Sequence, residues 1–326
     1  MTSPPLHPEQ DTIVIVGAGI IGLDVALVLA KRGLGRHTTV VAEHLPGDTS
    51  PAYTSPWAGC NFSGGISGRD DTALRWDRLG YAHLTNLATH ASEASFVSRT
   101  ESVEYWDADA PRDKIRAIVE YLEDTLNPPT ILEQFRVIPQ DELPPGVNYG
   151  FSCTTVTIHA PKHLVHLHDL LKHQHGVRFV RQRLPDIRAA RLSARTRVVF
   201  NCTGNAARTL PGVLDTRCYP TRGQVVLARA PAVARNVMRH GRDYETYVIP
   251  RPRSDGHVIL GGFMQAGNSD PSTYGHETEC ILRRTQELCP AELRDSPCEP
   301  LAAFAGARPS REGGARVERD GRPDWG

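Results

Sequence analysis

A chain of 326 residues is long enough for one large α/β domain or for two interleaved ones. Lysine plus arginine equals aspartate plus glutamate, at 37 each, so the chain lacks the basic excess that nucleic-acid-binding surfaces need. The longest apolar-rich run, TIVIVGAGIIGLDVALVLA, is interrupted by glycines and Asp24, which argues against a membrane span. Scattered cysteines without a CxxC pair favour a reduced intracellular compartment.

The N-terminal part of the chain predicts alternating strands and helices. Residues 12–16 (TIVIV) are a short β-branched run of the kind that forms a buried parallel strand. Residues 17–33 predict a turn and a helix, and residues 38–43 predict the next strand. A segment rich in Gly, Pro, Ser and Thr follows over 46–68. It is too long for a plain connector, so we expect it to be functional.

The rest of the chain predicts a mixed order of helices and extended strands. Helical spacing covers 72–96, 113–126, 161–175 and 276–289, and extended runs cover 177–180, 197–204, 224–230, 244–252 and 257–264. The pattern predicts an α/β fold in which a Rossmann-like nucleotide-binding domain is interleaved with an antiparallel-sheet domain. The predicted nucleotide-binding parts are 1–70, 151–215 and 299–326, and the second domain takes 71–150 and 216–298.

A glycine motif joins the first predicted strand to the first predicted helix. Gly17, Gly19 and Gly22 form a GxGxxG pattern, in which the first glycine permits a tight turn and the second lets the backbone approach a pyrophosphate. Small residues follow at the spacing that close helix–strand packing needs, at Ala26, Ala30 and Gly33. Glu43 ends the second strand, where a ribose-binding acid is expected. The motif predicts a site for an ADP-containing dinucleotide, with contacts from Gly17, Ala18, Gly19, Ile20, Gly22, Glu43 and His44.

The segment after the ribose acid separates the candidate dinucleotides. GDTSPAYTSPWAGCNFSGG carries hydroxyls that can bind a pyrophosphate or a flavin edge, and small residues beside which a flat ring can lie. An NAD enzyme would more often continue directly into another βαβ unit. The residues therefore favour FAD, with contacts from Thr54, Ser55, Ala58, Gly59, Cys60 and Asn61.

Several motifs, in order along nearly the whole chain, resemble those of the D-amino acid oxidase family of flavoproteins. VIVGAGIIGL is similar to the family's opening, and TSPWAGCNFS is similar to its flavin loop in the form that fungal members carry. VVFNCTGNAAR resembles the third FAD segment, which adds Thr203 and Gly204 to the expected cofactor contacts. TRGQVVLARAP, YVIPRP and VILGGFMQAGN resemble the sheet of the substrate domain, and GARPSREGGARVE resembles the block with the substrate-binding arginine.

The resemblance implies an oxidase whose reactants are a D-amino acid and O₂. In such a family the α-hydrogen leaves as hydride to flavin N5, O₂ reoxidises the flavin to give H₂O₂, and the imino acid hydrolyses to a 2-oxo acid and ammonia. Arg308 matches the arginine that grips the substrate carboxylate, and Tyr247 matches a tyrosine that also bonds it. Tyr244 matches a second, lid-like tyrosine less well. Because its surroundings show no helical or strand period, Arg308 is expected on a Pro-bounded turn.

The stretch LGGFMQ bears on the class of substrate. In D-aspartate oxidases of the family an arginine tends to follow this strand, whereas this chain has Phe263 and Met264. Met264 is apolar and flexible, which favours neutral D-amino acids over D-aspartate. Arg242 and Arg251 lie nearby in the sequence and leave an acidic substrate open. A glycine- or sarcosine-type amine oxidase and a truncated, non-catalytic remnant are the further alternatives.

Residues 159–175, HAPKHLVHLHDLLKHQH, hold a run of histidines. His163 and His166 share a helical face, but no Cys or carboxylate cluster completes a ligand set. Four leucines supply the apolar side of the same helix: Leu164, Leu167, Leu170 and Leu171. The run therefore predicts a solvated histidine face and no metal site.

The C-terminal stretch RDGRPDWG departs from the family pattern. Family members continue past GGxRVE with a glycine turn that closes over the flavin and with a long helix, so we expect this chain to bind FAD weakly. The family's peroxisomal tripeptide is not present either, which leaves the compartment open between peroxisome and cytoplasm. No membrane or nucleic-acid partner is predicted, and a homodimer is left open.

Overall fold

The computed structural model describes residues 12–63, 71–111, 115 and 132–321. The chain forms two compact units that are interleaved in sequence. The first unit comprises Met1–Pro56, Pro161–Thr221 and Ala307–Gly326, and the second comprises Trp57–Ala160 and Arg222–Gly306.

Runs of strands are separated by helices along the chain. The strands are β1 (Ile13–Val16), β2 (Thr38–Ala42), β3 (Val97–Asp107), β4 (Glu133–Val137), β5 (Val147–Ile158), β6 (Arg178–Arg181), β7 (Val198–Asn201), β8 (Cys218–Arg229), β9 (Asn236–His240), β10 (Glu245–Pro250), β11 (His257–Gly261), β12 (Gln265–Ala266) and β13 (Glu299–Arg311). The α-helices are α1 (Ile20–Lys31), α2 (Asp71–His90), α3 (Ser92–Ser95), α4 (Ala160–Asp169), α5 (Gly275–Leu288) and α6 (Pro290–Leu293).

Four parallel strands form the sheet of the first unit, in the order β6-β2-β1-β7. Every residue of β1 and β2 is buried, which explains why both strands are continuous runs of β-branched and small residues. Helix α1 packs on this sheet through Leu23, Ala26 and Leu27, which share a hydrophobic cluster with Ile15 and Val40. The strands and the helix predicted in this part of the chain are confirmed.

Gly33 ends helix α1 instead of packing against the sheet. Its φ of 80° lies in the left-handed region, and its N–H donates to the carbonyl oxygen of Ala30 at 2.9 Å. Nothing lies within 4 Å of the position that its Cβ would occupy. The predicted packing role of Gly33 is therefore wrong, whereas Ala26 and Ala30 are buried as expected.

A large mixed sheet forms the second unit, in the order β12-β8-β11-β10-β9-β3-β5-β4, and β13 pairs with β8 outside that path. Strands β3 and β9 are parallel, whereas the pairs β8–β11, β10–β11, β9–β10, β3–β5 and β4–β5 are antiparallel. The predicted runs at 224–230, 244–252 and 257–264 form β8, β10 and β11, so the antiparallel part of the fold is confirmed.

The long antiparallel pair of β3 and β5 is not predicted by the sequence pattern. The two strands pair from Val97 opposite Ile158 to Asp107 opposite Val147. Polar side chains of these strands occupy buried as well as exposed positions; Ser102, for example, is 1% exposed. The apolar alternation that identifies a half-buried strand is therefore missing.

Strand β5 also explains why the domain boundaries differ from the predicted ones. The sequence places 151–160 in the nucleotide-binding domain, but β5 continues to Ile158 in the sheet of the second unit, and the first unit resumes at Pro161. Residues 57–63 belong to the second unit as well, because the N–H of Phe62 donates to the Val156 carbonyl oxygen at 2.9 Å. The later boundaries fall at Thr221 and Gly306 instead of 215 and 298.

The helices predicted over 72–96, 161–175 and 276–289 are present, but their ends differ from the predicted ones. The helix predicted over 72–96 is α2 followed by the short α3, and the helix predicted over 276–289 is α5. The helix predicted over 161–175 is α4, which continues as a π-helical turn over Leu170–Gln174. The helix predicted over 113–126 lies outside the described residues, apart from Ile115. None of the helices in the described ranges has the length and apolar character to cross a bilayer.

The histidine face predicted around α4 is only partly solvated. His163 is 4% exposed and His159, just before the helix, is 5% exposed, and the predicted apolar residues Leu164 and Leu167 are also buried. The prediction of a solvated face is wrong for these two histidines, because this part of the chain buries histidine side chains as well as the predicted leucines. Over the residues that the structure describes, no group of three or more His, Cys, Asp or Glu side chains is arranged to hold a metal ion.

Arg308 lies on a strand, so the predicted Pro-bounded turn is wrong. Strand β13 extends past Arg308 to Arg311. Its alanines and glycine hide the alternation expected of a strand. A Cβ on Gly306 would lie 3.4 Å from Trp57 Cδ1, and Trp57 in turn stacks on Phe304 with ring centroids 4.5 Å apart.

A buried histidine in the second unit couples stability to pH. His240 on β9 stacks on Trp106, and its ring nitrogens lie 3.5 Å from a Glu104 carboxylate oxygen and 3.6 Å from one of Glu245. Burial lowers the pKa of His240, but the two carboxylates raise it by more, to about 9 from an ordinary 6.5. The folded state therefore binds this proton more tightly than the unfolded state does.

We expect the free energy of unfolding to fall as the pH rises from 6.5 to 9, because the pKa of His240 is raised in the folded state. The stabilisation is complete below pH 6.5 and is lost as the pH passes about 9, and it amounts to about 3 kcal/mol at most. Urea unfolding across this range should show a smaller loss in His240→Gln. His276→Gln removes an exposed histidine and should keep the wild-type slope. An unchanged slope in His240→Gln would contradict the assignment.

Candidate active site

The carboxyl ends of β1, β2 and β7 meet at one edge of the parallel sheet. They bring together the residues predicted to bind the dinucleotide: the glycine turn after β1, Glu43 after β2, and Thr203 with Gly204 after β7. Gly17 has a φ of 109°, and a Cβ there would lie 2.4 Å from the carbonyl oxygen of Cys202. Only glycine lets the turn after β1 lie against the end of β7.

The N-terminus of α1 lies at this edge of the sheet. A Cβ on Gly22 would lie 1.9 Å from the Gly17 carbonyl oxygen, so the turn and the helix are in direct contact. Gly19, the N-cap residue, supplies no side-chain cap, and the N–H of Ile20 donates to Ser55 Oγ at 3.0 Å. The positive end of the helix dipole and its N–H groups are suited to a pyrophosphate.

Two further groups at this edge suit the hydroxyls of a dinucleotide. The Glu43 carboxylate is about half exposed, and Arg183 Nε lies 3.8 Å from it. Asn205 Oδ1, in the turn after β7, is buried and accepts no hydrogen bond from the described residues. Ribose and ribityl hydroxyls are donors that these oxygens can accept. Together with the helix N-terminus, they fit FAD.

Tyr53 supports the glycine turn, a role that the sequence pattern does not predict. Its hydroxyl donates to the carbonyl oxygen of Ala18 at 2.6 Å, and its ring centroid lies 6.0 Å from that of His44. Burial raises the pKa of Tyr53, so the phenol stays a donor. Its only sequence signal is its place in the segment 46–68, which was predicted to be functional.

In the second unit, residues 59–61 of the predicted flavin loop contact the sheet. A Cβ on Gly59 would lie 2.7 Å from Ile249 Cδ1 on β10. The carbonyl oxygen of Cys60 accepts from the N–H of Ile158 at 2.9 Å, and Asn61 Nδ2 donates to a serine hydroxyl two residues later. Burial raises the pKa of Cys60 to about 11, so its thiol is protonated at neutral pH and is a poor nucleophile. Ala58 is exposed.

The phenol of Tyr247 packs directly against the backbone of two glycines in the LGG stretch. Tyr247 lies on β10 opposite Gly261 of β11 and is 7% exposed. A Cβ on Gly261 would lie 2.2 Å from Tyr247 Cζ, and one on Gly262 would lie 2.6 Å from the hydroxyl oxygen. Any larger residue would displace the hydroxyl, so this glycine pair sets its position.

Tyr244 lies in the turn between β9 and β10, and its hydroxyl donates to the carboxylate of Asp107. Arg239 Nε donates to the same carboxylate at 2.7 Å, and the guanidinium of Arg284 lies over the Tyr244 ring at 5.5 Å. The hydroxyl of Tyr244 is therefore committed to Asp107 in this structure. The lid role of Tyr244 stays a prediction.

The residues that bear on substrate class differ in exposure. Met264 is exposed, and Phe263 packs under the guanidinium of Arg284 at 5.2 Å. Arg242 is exposed, with its Nε 3.9 Å from an Asp109 oxygen. Arg251 is only 9% exposed, and burial lowers its pKa to about 10. Only Arg251 of the two candidate cations is buried.

We expect Gly22→Ala to weaken FAD binding by about tenfold or more, because the new Cβ would collide with a backbone carbonyl that cannot move freely. Titration of the apoprotein with FAD, followed by flavin fluorescence, measures the change. Gly80→Ala is a matched control on α2, where nothing lies within 4 Å of the new Cβ, and it should bind FAD like the wild type. Equal FAD affinity in both variants would contradict the prediction.

Comparison with known proteins agrees with this arrangement. The family model described as FAD dependent oxidoreductase (DAO) matches residues 12–325. The chain is 42% identical to the D-amino-acid oxidase of Schizosaccharomyces pombe over 312 residues, which cover 94% of this chain and 86% of that protein. It is 30% identical to the D-aspartate oxidase of Cryptococcus neoformans, over 97% of this chain and 89% of that protein.

Superposition on a solved structure supports the fold independently of sequence similarity. Glycine oxidase from Geobacillus kaustophilus superposes with a TM-score of 0.71 over 93% of this chain and 84% of that one, at 18% identity. At that identity the likeness bears on the fold alone. The sequence matches go further, since they run along almost the whole chain. This chain belongs to the D-amino acid oxidase family of FAD dependent oxidoreductases.

Proposed function

We propose that this chain oxidises neutral D-amino acids to 2-oxo acids, with FAD as its cofactor and O₂ as the final electron acceptor. The observation that carries the proposal is the 42% identity to a D-amino-acid oxidase along 94% of the chain. When bound, FAD supplies the two-electron acceptor. The amino acid loses its α-hydrogen and an N–H proton with two electrons, O₂ takes two electrons and two protons as H₂O₂, and water replaces the imine nitrogen, which leaves as ammonia.

The protein's part in this reaction is to hold the substrate. Arg308 binds the carboxylate with two charge-assisted hydrogen bonds, and Tyr247 donates a further bond from its hydroxyl. The buried, glycine-backed phenol of Tyr247 supports this role, because its hydroxyl has a set position. Anchoring the carboxylate fixes the plane of the α-carbon, which is what transfer of the α-hydrogen requires.

A substrate panel tests the proposal. The chain, supplied with excess FAD, is given D-alanine, L-alanine, D-aspartate, glycine and sarcosine, and H₂O₂ release is followed. We expect the highest kcat/KM with D-alanine and no release with L-alanine. A preference for glycine or sarcosine would favour the amine oxidase alternative, and no flavin reduction by any D-amino acid under anaerobic conditions would favour a non-catalytic remnant.

D-aspartate oxidation is a second candidate. The Cryptococcus relative carries that name, and Arg251 gives the observation that favours it in this chain. Its guanidinium is buried, and its Nε donates no hydrogen bond within the described residues. The side-chain carboxylate of D-aspartate would accept that hydrogen bond and balance the buried charge. If Arg251 binds that carboxylate, Arg251→Met lowers the ratio of D-aspartate to D-alanine turnover. An unchanged ratio speaks against this candidate.

The remaining properties are proposals that other measurements test. We propose that the chain acts on small molecules without nucleic acid or membrane, as its equal numbers of acidic and basic residues suggest. A homodimer is the assembly to test first, by light scattering. We propose a peroxisomal or cytoplasmic location, which imaging of the tagged protein in cells distinguishes.

A further inference from the structure

The carbonyl oxygen of Ala307, the residue before Arg308, accepts two side-chain hydrogen bonds. Thr54 Oγ1 donates to it at 2.8 Å, and Asn205 Nδ2 donates to it at 2.7 Å. The donors come from the loop after β2 and from the turn after β7. A carbonyl oxygen has two lone pairs, so these two bonds fill its capacity. We name Thr54, Asn205 and the Ala307 carbonyl the Ala307 clamp.

Further contacts anchor β13 on the other side of Arg308. The hydroxyls of Ser310 and Thr221 lie 2.7 Å apart. Arg311 Nε donates to a carboxylate oxygen of Asp215 at 2.9 Å, and this bond lowers the pKa of Asp215. The backbone at Arg308 is therefore held both before and after the residue.

We propose that Thr54 and Asn205 are positioning residues for Arg308, and that they hold its backbone where the guanidinium meets a substrate carboxylate in the correct plane. This inference rests on the proposed function, because it takes Arg308 as the carboxylate-binding residue. Bidentate binding requires a fixed distance and a fixed plane. Without the clamp, part of the binding energy would be spent on ordering the strand when the substrate arrives.

The clamp separates the role of Thr54 from the cofactor contact that the sequence predicts for it. A threonine hydroxyl has one proton, and here that proton points to Ala307. The phosphate oxygens of FAD only accept, so they would need the same proton. The neighbouring Ser55 differs, because its Oγ accepts from the N–H of Ile20 and keeps its own proton for another acceptor. Thr54 therefore acts on the substrate, and Ser55 acts on the cofactor.

A set of single variants tests this division. Thr54→Val keeps the shape and removes the donor, Thr54→Ser restores a hydroxyl, and Ser55→Ala is the matched change at the next residue. We expect Thr54→Val to raise KM for D-alanine by about 3- to 10-fold, with little change in kcat or in the Kd for FAD. Thr54→Ser should return KM toward the wild-type value. Ser55→Ala should raise the Kd for FAD instead. Asn205→Ala removes both the clamp donor and the Oδ1 acceptor that suits FAD, so it should raise KM and the Kd for FAD together.

A double variant shows whether Thr54 acts through Arg308. Arg308→Met should itself raise KM, and adding Thr54→Val should then change KM no further. Additive effects would overturn the clamp, as would a Thr54→Val protein whose KM is normal and whose Kd for FAD is raised. A normal KM in Arg308→Met would instead remove Arg308 from the proposed site, and the clamp with it.

Binding of a non-reacting carboxylate separates failure of the clamp from failure of the proposed function. Propionate is titrated into the flavin-loaded protein, and the flavin absorbance is followed. If the wild type oxidises no D-amino acid but binds propionate, the proposed function fails, and a weaker propionate affinity in Thr54→Val still supports the clamp. Equal affinity in the two proteins overturns the clamp, and a wild type that neither turns over nor binds propionate overturns both.

Discussion

Replacing Arg308 by methionine should lower kcat/KM for D-alanine by about 10²- to 10⁴-fold. A guanidinium and a carboxylate share two charge-assisted hydrogen bonds, each worth about 1.5–3 kcal/mol, and methionine offers neither. Steady-state H₂O₂ release with D-alanine measures the loss. Arg308→Lys keeps the charge and loses the planar fork, so we expect an intermediate value.

A nearby exposed arginine provides the control for Arg308. Arg319 follows in the same C-terminal stretch and is exposed, so Arg319→Met should keep the wild-type kcat/KM. The Kd for FAD is measured in each variant, since a loss of flavin would lower activity for a different reason. An Arg308→Met protein that binds FAD and turns over D-alanine as the control does would show that the carboxylate is bound elsewhere.

The first unit could be predicted because its signals are local. The buried run at Ile13–Val16 and the glycine turn after it are adjacent in sequence, and their packing follows from residue type alone. Membership of the family followed from motifs in the same way. The alanine-rich β13 is not predicted, because its alanines and glycine show no alternation of apolar and polar side chains.

The support of the site could not be predicted, because it depends on contacts between distant residues. Thr54 and Ala307 are separated by 253 positions, and no spacing rule links a loop hydroxyl to that carbonyl. The glycines at 261 and 262 belong to a family motif, but their contact with the Tyr247 hydroxyl depends on the register between β10 and β11. Pattern identifies which residues carry the chemistry, and tertiary contacts determine how they are held.

A buried ion pair in the second unit leads to the largest expected effect on stability. Arg222 on β8 is fully buried, and its Nη1 donates to both carboxylate oxygens of Glu277, at 3.1 and 2.9 Å. The other guanidinium bonds go to the backbone carbonyls of Asp270 and Ser272 and to the side chains of Gln224 and Gln265. Arg222 therefore ties α5 and the loop before it to the sheet.

We expect Arg222→Met to lower the free energy of unfolding by about 3–5 kcal/mol, because it leaves the Glu277 carboxylate buried without its partner. Urea unfolding measures the loss. The double variant Arg222→Met, Glu277→Leu removes both charges and should regain a large part of the stability. The regain should be incomplete, because the carbonyls of Asp270 and Ser272 stay without their donor.

The same helix supplies a matched control for the buried pair. Arg283 and Glu287 are 3.1 Å apart on α5, and both side chains are 63% exposed. Water solvates both partners, so Arg283→Met should cost no more than about 0.5 kcal/mol. Equal losses in Arg222→Met and Arg283→Met would show that burial adds nothing to the pair. The expected contrast arises because the desolvated carboxylate of Glu277 has no water to replace its lost partner, whereas the carboxylate of Glu287 does.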